Sequence, residues 1–151
     1  MDKNHTLIQL SESKRTSFGK GDFLRQSLPQ KVFSAIWAVQ SEVCNGGFSQ
    51  YFLNCSAETA SFVVEALETI GASKTAVICQ RAIASAFPGG LPTSPETISS
   101  GAANFSDETL GKLDAIDRDF FATSDNFTDL LFAYVSEHSE DFGTLPKPDD
   151  A

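Results

Sequence analysis

Apolar residues at helical spacing are the feature that most constrains how this chain can fold. Between residues 30 and 43 they recur every three or four positions, which places them along one side of a helix. That side is formed by Phe33, Ile36, Trp37, Gln40 and Val43. Helical patterns continue to about residue 140, and no stretch of four or more residues alternates like a strand. We therefore expect an all-α, single-domain bundle of five or six main helices, for which 151 residues can bury an adequate core.

Capping residues divide this pattern into separate helices. Pro29 is placed to begin the first helix, and Gly71 is placed to end the helix predicted for 57–70. Further helices are predicted for 73–87, 94 onwards, 106–121 and 126–140. Side-chain oxygens that can accept the first free N–H groups of these helices belong to Ser56, Ser73, Ser94, Ser106 and Asn126.

The chain divides by composition into three parts. Residues 1–28 are predicted to be a basic N-terminal arm with one short helix at most, 29–143 the helical domain, and 144–151 an acidic C-terminal tail. No apolar run reaches the ~18 residues of a membrane span, and the N-terminus lacks the apolar core of a signal peptide, so we expect a cytoplasmic protein. Three cysteines without a CxxC spacing, Cys44, Cys55 and Cys79, are expected to be reduced and mostly buried.

Charge is unevenly distributed along the sequence. The net charge of −9 combines +3 over residues 1–31, −3 over 32–106 and −9 over 107–151. An acidic protein of this kind repels nucleic acid and attracts basic partners. We therefore expect no direct binding of DNA or RNA, and a basic protein as the partner.

The acidic residues of the predicted helices mostly lie opposite the apolar ones. Such carboxylates either form a solvated face or resemble the phosphates of a duplex, and their spacing is compatible with both. The candidate partner-binding residues in the last third of the chain are Asp107, Asp114, Asp119, Asp129, Glu137 and Glu140.

Asp117 is an exception, because it falls within the apolar side of the helix predicted for 106–121. A carboxylate in that position should be paired, accept backbone N–H groups or have a raised pKa. Arg81 is the candidate partner, as one of only two basic residues between 32 and 106.

Catalytic and metal-binding patterns are not visible. His138 is predicted to lie in the middle of the apolar face of the last helix as a satisfied core histidine, and His5 lies in the arm. Neither belongs to a nucleophile motif or has the i, i+4 partner of a metal site, and Gly46-Gly47 lacks the residues of a phosphate-binding loop. We expect a protein that is not an enzyme and needs no metal or cofactor.

The segment "EVCNGGFSQYFLN", residues 42–54, is the densest cluster of glycines, amides and aromatics. Asn45-Gly46-Gly47 should end the first helix, and a short helix should follow from Phe48 to about Cys55 with its aromatic residues buried. In one interpretation every residue here is structural. In the other, an amide-lined pocket close to Trp37 is formed by Glu42, Asn45, Gln50 and Asn54.

This segment resembles a widespread bacterial domain family of unknown function whose described member is a DNA-mimic protein. The family shares an acidic-Xaa-Xaa-Asn-Gly-Gly-Phe-Xaa-Gln-aromatic-Phe-Xaa-Asn core, which here is Glu42, Asn45, Gly46, Gly47, Phe48, Gln50, Tyr51, Phe52 and Asn54. The "IGA" at 70–72 and the alanine-rich helix after it also match, so the resemblance covers about 29–143. It implies an all-α fold and an acidic surface that occupies the DNA site of a transcription factor.

Three hypotheses follow. The leading one is a non-enzymatic acidic protein that binds a basic, DNA-binding partner such as a transcription factor by mimicking duplex charge. The alternatives are a small-molecule or peptide pocket at the Asn-Gly-Gly segment, and a neutralising partner of a toxin or nuclease that uses the same acidic faces. A homodimer is compatible with each of them.

Overall fold

The computed structural model describes residues 3–12, 23–54, 58–123 and 125–142, and these residues contain helices and no strand. A 3-10 helix, Phe23–Arg25, precedes the longest α-helix. The α-helices are α1 (Lys3–Glu12), α2 (Leu28–Leu53), α3 (Val63–Thr69), α4 (Ser73–Ala86), α5 (Pro95–Ala103), α6 (Asp107–Ala122), α7 (Phe127–Glu137) and α8 (Ser139–Phe142). The predicted all-α bundle is confirmed.

Helix α2 is the centre of the bundle and packs against α3, α5, α6, α7 and α8. It begins with a capping box, in which Ser27 Oγ accepts the Gln30 N–H at 3.4 Å and Gln30 Oε1 accepts the Ser27 N–H at 2.9 Å. The predicted seam is buried at Phe33, Ile36 and Val43. The backbone angles of Gly46 and Gly47 are not helical, so α2 consists of two helical segments joined by a kink, at the position where the sequence predicted one helix to end and a short one to begin.

Three predicted caps are confirmed. Ser94 and Ser106 each accept a backbone N–H three residues on, at 3.1 Å, and so begin α5 and α6. Asn126 does the same for α7, with the Asp129 N–H at 3.1 Å. Gly71 ends α3 with φ of 88°, and the N–H groups of residues 71 and 72 bond back into the last turn as in a Schellman motif.

Other helix ends differ from the prediction. Helix α3 begins at Val63 rather than at 57, and Ser56 lies outside the described residues. Ser73 is the first residue of α4 rather than its cap. The cap comes from a distant carboxylate, since Asp125 Oδ2 accepts both the Thr75 N–H at 2.8 Å and the Thr75 hydroxyl at 3.0 Å.

The last predicted helix is two helices. Helix α7 ends at Glu137 with His138 as its C-cap, and the four residues of α8 follow, so Glu140 lies on a different helix from Asp129. The short helix expected in the N-terminal arm is α1, which packs against α7, with Leu7 and Leu10 in the core. The division into 1–28, 29–143 and 144–151 stays a prediction, and residues 144–151 lie outside the described part.

An aromatic cluster joins α2 to the helices around it. Phe52 lies edge-on to Phe87 with ring centroids 5.4 Å apart, and Phe48 lies edge-on to Phe120 at 5.7 Å. Such edge-to-face pairs stabilise a core beyond the area that they bury. None of the described helices is long and apolar enough to cross a membrane.

Candidate functional site

The kink in α2 depends on two glycines. Gly47 has φ of 78° and ψ of −179°, a combination that is essentially restricted to glycine. A β-carbon at Gly47 would also overlap the carboxylate of Asp117, and one at Gly46 would overlap the side chain of Gln50. The glycines therefore let two polar side chains lie directly against the backbone at the kink.

Asp117 caps the helix where it restarts. Its Oδ1 accepts the Phe48 N–H at 2.8 Å, which satisfies a donor that the kink leaves without a helical partner. Burial raises the pKa of Asp117, the hydrogen bond from Phe48 opposes that shift and the charge of Asp114 adds to it. The expected pair with Arg81 is wrong, because Arg81 bonds to Asp119 at 2.9 Å instead.

A carboxylate holds the two halves of α2 together. Glu42 Oε2 accepts Gln50 Nε2–H at 2.8 Å and Asn54 Nδ2–H at 2.9 Å, an arrangement that we call the Glu42 clamp. Asn45 is exposed at the kink and takes no part in the clamp. Three of the residues predicted to line a pocket therefore bond to one another across the kink.

A cavity of about 320 Å³ adjoins the clamp, since Glu42 belongs to its lining as well. It is lined by residues of α1 and of the first half of α2, among them Trp37, Phe33 and Glu42. Asn45, Gln50 and Asn54 do not line it. The structure thus places a pocket near Trp37, as the alternative interpretation expected, but not among the amides.

The cysteines and His138 are the remaining side chains that could react, and their surroundings fit a structural role. Cys79 is buried, which raises its pKa to about 12, whereas Cys44 is exposed, contrary to expectation, and Cys55 lies outside the described residues. His138 is half-buried at the end of α7, with Nδ1 2.8 Å from the Tyr134 carbonyl oxygen and its ring 4.2 Å from the Tyr134 ring. Within residues 3–12, 23–54, 58–123 and 125–142, no group of His, Cys, Asp and Glu could hold a metal ion.

All six predicted partner-binding acids are exposed, but half of them form ion pairs within the chain. The side-chain oxygen and nitrogen atoms lie 2.9 Å apart in Asp114–Arg118, 2.9 Å apart in Asp119–Arg81 and 3.1 Å apart in Asp129–Lys3. We call these three the paired acids. The other three have no basic partner within 4.0 Å among the residues that the structure describes, and we call them the unpaired acids: Asp107, Glu137 and Glu140.

The unpaired acids lie at helix ends. Glu137 and Glu140 flank the junction of α7 and α8, and Asp107 is the first residue of α6. Among the further exposed carboxylates without a basic partner in the described part of the chain are Glu58, Glu65 and Glu68, at and before α3. The site prediction omitted them because it followed local net charge, although their positions opposite the apolar residues already indicated exposure.

Comparison with known proteins identifies the family of this chain. No curated protein and no solved structure matches it significantly. A family model does match over residues 25–138, a range that includes the whole 42–54 motif and confirms the resemblance. The chain belongs to the DMP19-like protein family.

Proposed function

We propose that this protein acts in the cytoplasm by binding a basic DNA-binding protein, such as a transcription factor, with carboxylates that take the place of duplex phosphates. Membership of a family whose described member is a DNA mimic supports this proposal. The net charge of −9 supports it as well, since long-range attraction would bring a basic partner to the acidic surface. The binding requires no catalytic group, metal or cofactor.

The observation that carries the proposal is the set of exposed carboxylates whose charge the chain does not neutralise. A carboxylate that already bonds to a neighbouring arginine or lysine gives a weaker field at a distance than one that does not. The unpaired acids should therefore contribute more to partner binding than the paired acids. This narrows the six candidate residues to Asp107, Glu137 and Glu140, and it adds the acids at and before α3 as further candidates.

Arginine and lysine side chains on the partner would meet these carboxylates as they meet phosphate oxygens. Exposed charge pairs weaken when salt shortens the screening length, from about 30 Å at 0.01 M to about 8 Å at 0.15 M. The complex should therefore be strong at low salt and weak at high salt. Because partner and duplex DNA compete for one site, DNA should also displace the mimic.

The test is retention of proteins from the source cell's lysate on a column of this protein. Retained proteins are eluted either with high salt or with a short DNA duplex at low salt, and are identified by mass spectrometry. We expect a DNA-binding protein in both eluates. A column that retains nothing, or a retained protein that duplex DNA does not release, would overturn the proposal. Release of a nuclease or toxin by salt alone would favour the neutralising-partner alternative.

Two triple variants of equal net charge test which acids matter. One replaces the unpaired acids (Asp107→Asn, Glu137→Gln, Glu140→Gln), and the other replaces the paired acids (Asp114→Asn, Asp119→Asn, Asp129→Asn). Both change the net charge from −9 to −6. We expect at least a tenfold loss of affinity for the purified partner in the first variant and a much smaller loss in the second. Equal losses would show that only net charge matters.

A further inference from the structure

Asn45 and Gly46 form an exposed Asn-Gly pair at the kink of α2. Asn45 is the one asparagine in the chain that a glycine follows. A glycine in this position leaves its backbone nitrogen open to approach, because it has no side chain to shield that nitrogen. The side-chain amide of the preceding asparagine can react with such a nitrogen, so the pair is a candidate site of covalent modification.

The side-chain amide of Asn45 differs from those of the other asparagines whose side chains the structure describes. Asn54 and Asn104 each donate a hydrogen bond of 2.9 Å, and Asn126 caps α7. Asn45 is exposed, and its amide makes no hydrogen bond within the described part of the chain. Its Cγ is therefore accessible, and no neighbouring group fixes the amide in an unreactive orientation.

The backbone at Asn45 is less constrained than the backbone of a regular helix. Reaction with the next nitrogen requires rotation about the Cα–C bond of Asn45, which an unbroken series of helical hydrogen bonds opposes. Asn45 is the last residue before the kink, and the two glycines after it have non-helical angles. The Phe48 N–H bonds to Asp117 at 2.8 Å rather than to the carbonyl oxygen four residues before it. Local opening at this point therefore breaks fewer helical bonds than opening elsewhere in α2.

We propose that Asn45 is a site of spontaneous deamidation through a cyclic imide. Hydroxide removes the proton of the Gly46 N–H, and the nitrogen attacks Cγ of Asn45. A C–N bond forms, and the side-chain nitrogen takes a proton from water and leaves as ammonia. Water then opens the imide, where cleavage of the new C–N bond gives aspartate and cleavage of the original peptide bond gives isoaspartate. The reaction needs only water, and the proposal does not depend on the proposed function.

Both products change the molecule at the kink. Each modified molecule gains one negative charge at an exposed position, which changes the net charge from −9 to −10. In isoaspartate the main chain runs through the former side-chain carbon, so one more carbon separates the two segments of α2. Charge and backbone length at the kink would thus change with the age of the molecule.

The test is incubation of the folded protein at a series of pH values from neutral to mildly alkaline. Ion exchange separates the more acidic form, peptide mapping by mass spectrometry locates the change, and an isoaspartate-specific methyltransferase labels the second product. We expect Asn45 to be modified at least tenfold faster than Asn104, with a rate that rises about tenfold per pH unit, since the attacking nitrogen must lose its proton. Equal rates at the two asparagines, an unmodified Asn45 or a rate independent of pH would overturn the proposal.

Two single variants show whether the acidic form comes from this position. Asn45→Ser removes the reacting amide, and Asn104→Ser is the matched control, because Asn104 is also exposed but precedes a phenylalanine. The acidic form and the isoaspartate label should be lost in Asn45→Ser and unchanged in Asn104→Ser. An acidic form that persisted in Asn45→Ser would contradict the assignment.

A low concentration of urea separates reaction in the folded protein from reaction in the unfolded chain. Urea below the unfolding transition raises the unfolded population by a factor that the unfolding curve gives. We expect the rate at Asn45 to change by much less than this factor, because the kink of the folded protein already allows the reaction. A rate that rose in proportion to the unfolded population would show that the kink has no part in it.

Discussion

Gly47 shows how one residue determines the geometry of the kink. Its positive φ with ψ near 180° strains any residue that has a β-carbon, and the Asp117 carboxylate occupies the position of that carbon. We expect Gly47→Ala to lower the free energy of unfolding by about 2–4 kcal/mol, as strain of about 1–3 kcal/mol adds to the overlap. Urea unfolding measures this change.

A second glycine gives the opposite result and serves as the control. Gly111 lies in α6, is exposed, and has open space where a β-carbon would be. Gly111→Ala should raise the free energy of unfolding by about 0.5–1 kcal/mol, because alanine loses less conformational freedom in a helix. If Gly47→Ala were as stable as Gly111→Ala, the kink would not require a glycine.

Asp117 makes stability depend on pH. Burial raises its pKa above the ordinary value of 3.8, so the folded state holds the proton more tightly than the unfolded chain does. The contribution of this group to stability is therefore complete below pH 3.8 and is lost as the pH rises through the raised pKa. Asp117→Asn keeps an acceptor for the Phe48 N–H but does not titrate. The stability of Asp117→Asn relative to the original protein should increase with pH across this window.

Urea unfolding of both proteins at a series of pH values from about 3.5 to 7 checks whether this stability difference increases with pH. Parallel curves for the two proteins would show that Asp117 has the same proton affinity in both states. Asp117→Ala separates the hydrogen bond from the charge, because it leaves the Phe48 N–H without this acceptor. We expect it to cost about 1 kcal/mol relative to Asp117→Asn at neutral pH.

At the scale of elements, the Glu42 clamp ties the two helical segments of α2 together across the kink. Hydrogen bonds to a half-buried carboxylate contribute about 1–2 kcal/mol each. A double-mutant cycle of Glu42→Ala and Gln50→Ala should therefore give a coupling energy of that size. The exposed pair Glu108 and Lys112, with N and O atoms 3.5 Å apart, is the control and should couple by less than about 0.5 kcal/mol.

The same variants separate the two interpretations of the Asn-Gly-Gly segment. If Gln50→Ala or Asn54→Ala abolished retention of the partner without a change in stability, the clamp would be a contact site rather than a structural tie. We expect stability to fall and partner affinity to remain within about twofold wherever the variant stays folded, since the amides bond to Glu42 and not outward.

Predictions from sequence succeeded where a helix depends on its own residues. Ser94, Ser106 and Asn126 cap through bonds that span three residues, so spacing was enough to identify them. Ser73 failed as a cap because its helix is capped by Asp125, which accepts the Thr75 N–H from 50 residues further along the chain. Helix boundaries thus follow from sequence only where no distant side chain intervenes.

The sequence alone could not show which of the six acids are neutralised by ion pairs, for a related reason. Exposure of the acids followed from helical periodicity, but their ion pairs depend on how helices pack. Lys3 reaches Asp129 because α1 lies against α7, and Arg81 reaches Asp119 because α4 lies against α6. Local charge counts cannot include such contacts, so they overestimated the unneutralised charge on α6 and α7.

At the scale of the whole molecule, the net charge of −9 acts on folding and on binding in opposite directions. Excess negative charge destabilises the compact state by self-repulsion, whereas the same charge would attract the basic partner that we propose. Added salt screens both effects. We therefore expect the free energy of unfolding to rise, and the partner affinity to fall, as NaCl increases from about 20 to about 200 mM.

Chemical unfolding and partner titration at matched salt concentrations measure two slopes, the change of the unfolding free energy with salt and the change of the partner affinity with salt. The four ion pairs between described residues are exposed, so their screening should subtract little from the gain in stability. In the triple variant of the unpaired acids both slopes should become shallower, because it removes repulsion and partner contacts together. If salt lowered stability as well as affinity, ion pairs would outweigh repulsion, and the acidic surface would be neutralised within the fold rather than available to a partner.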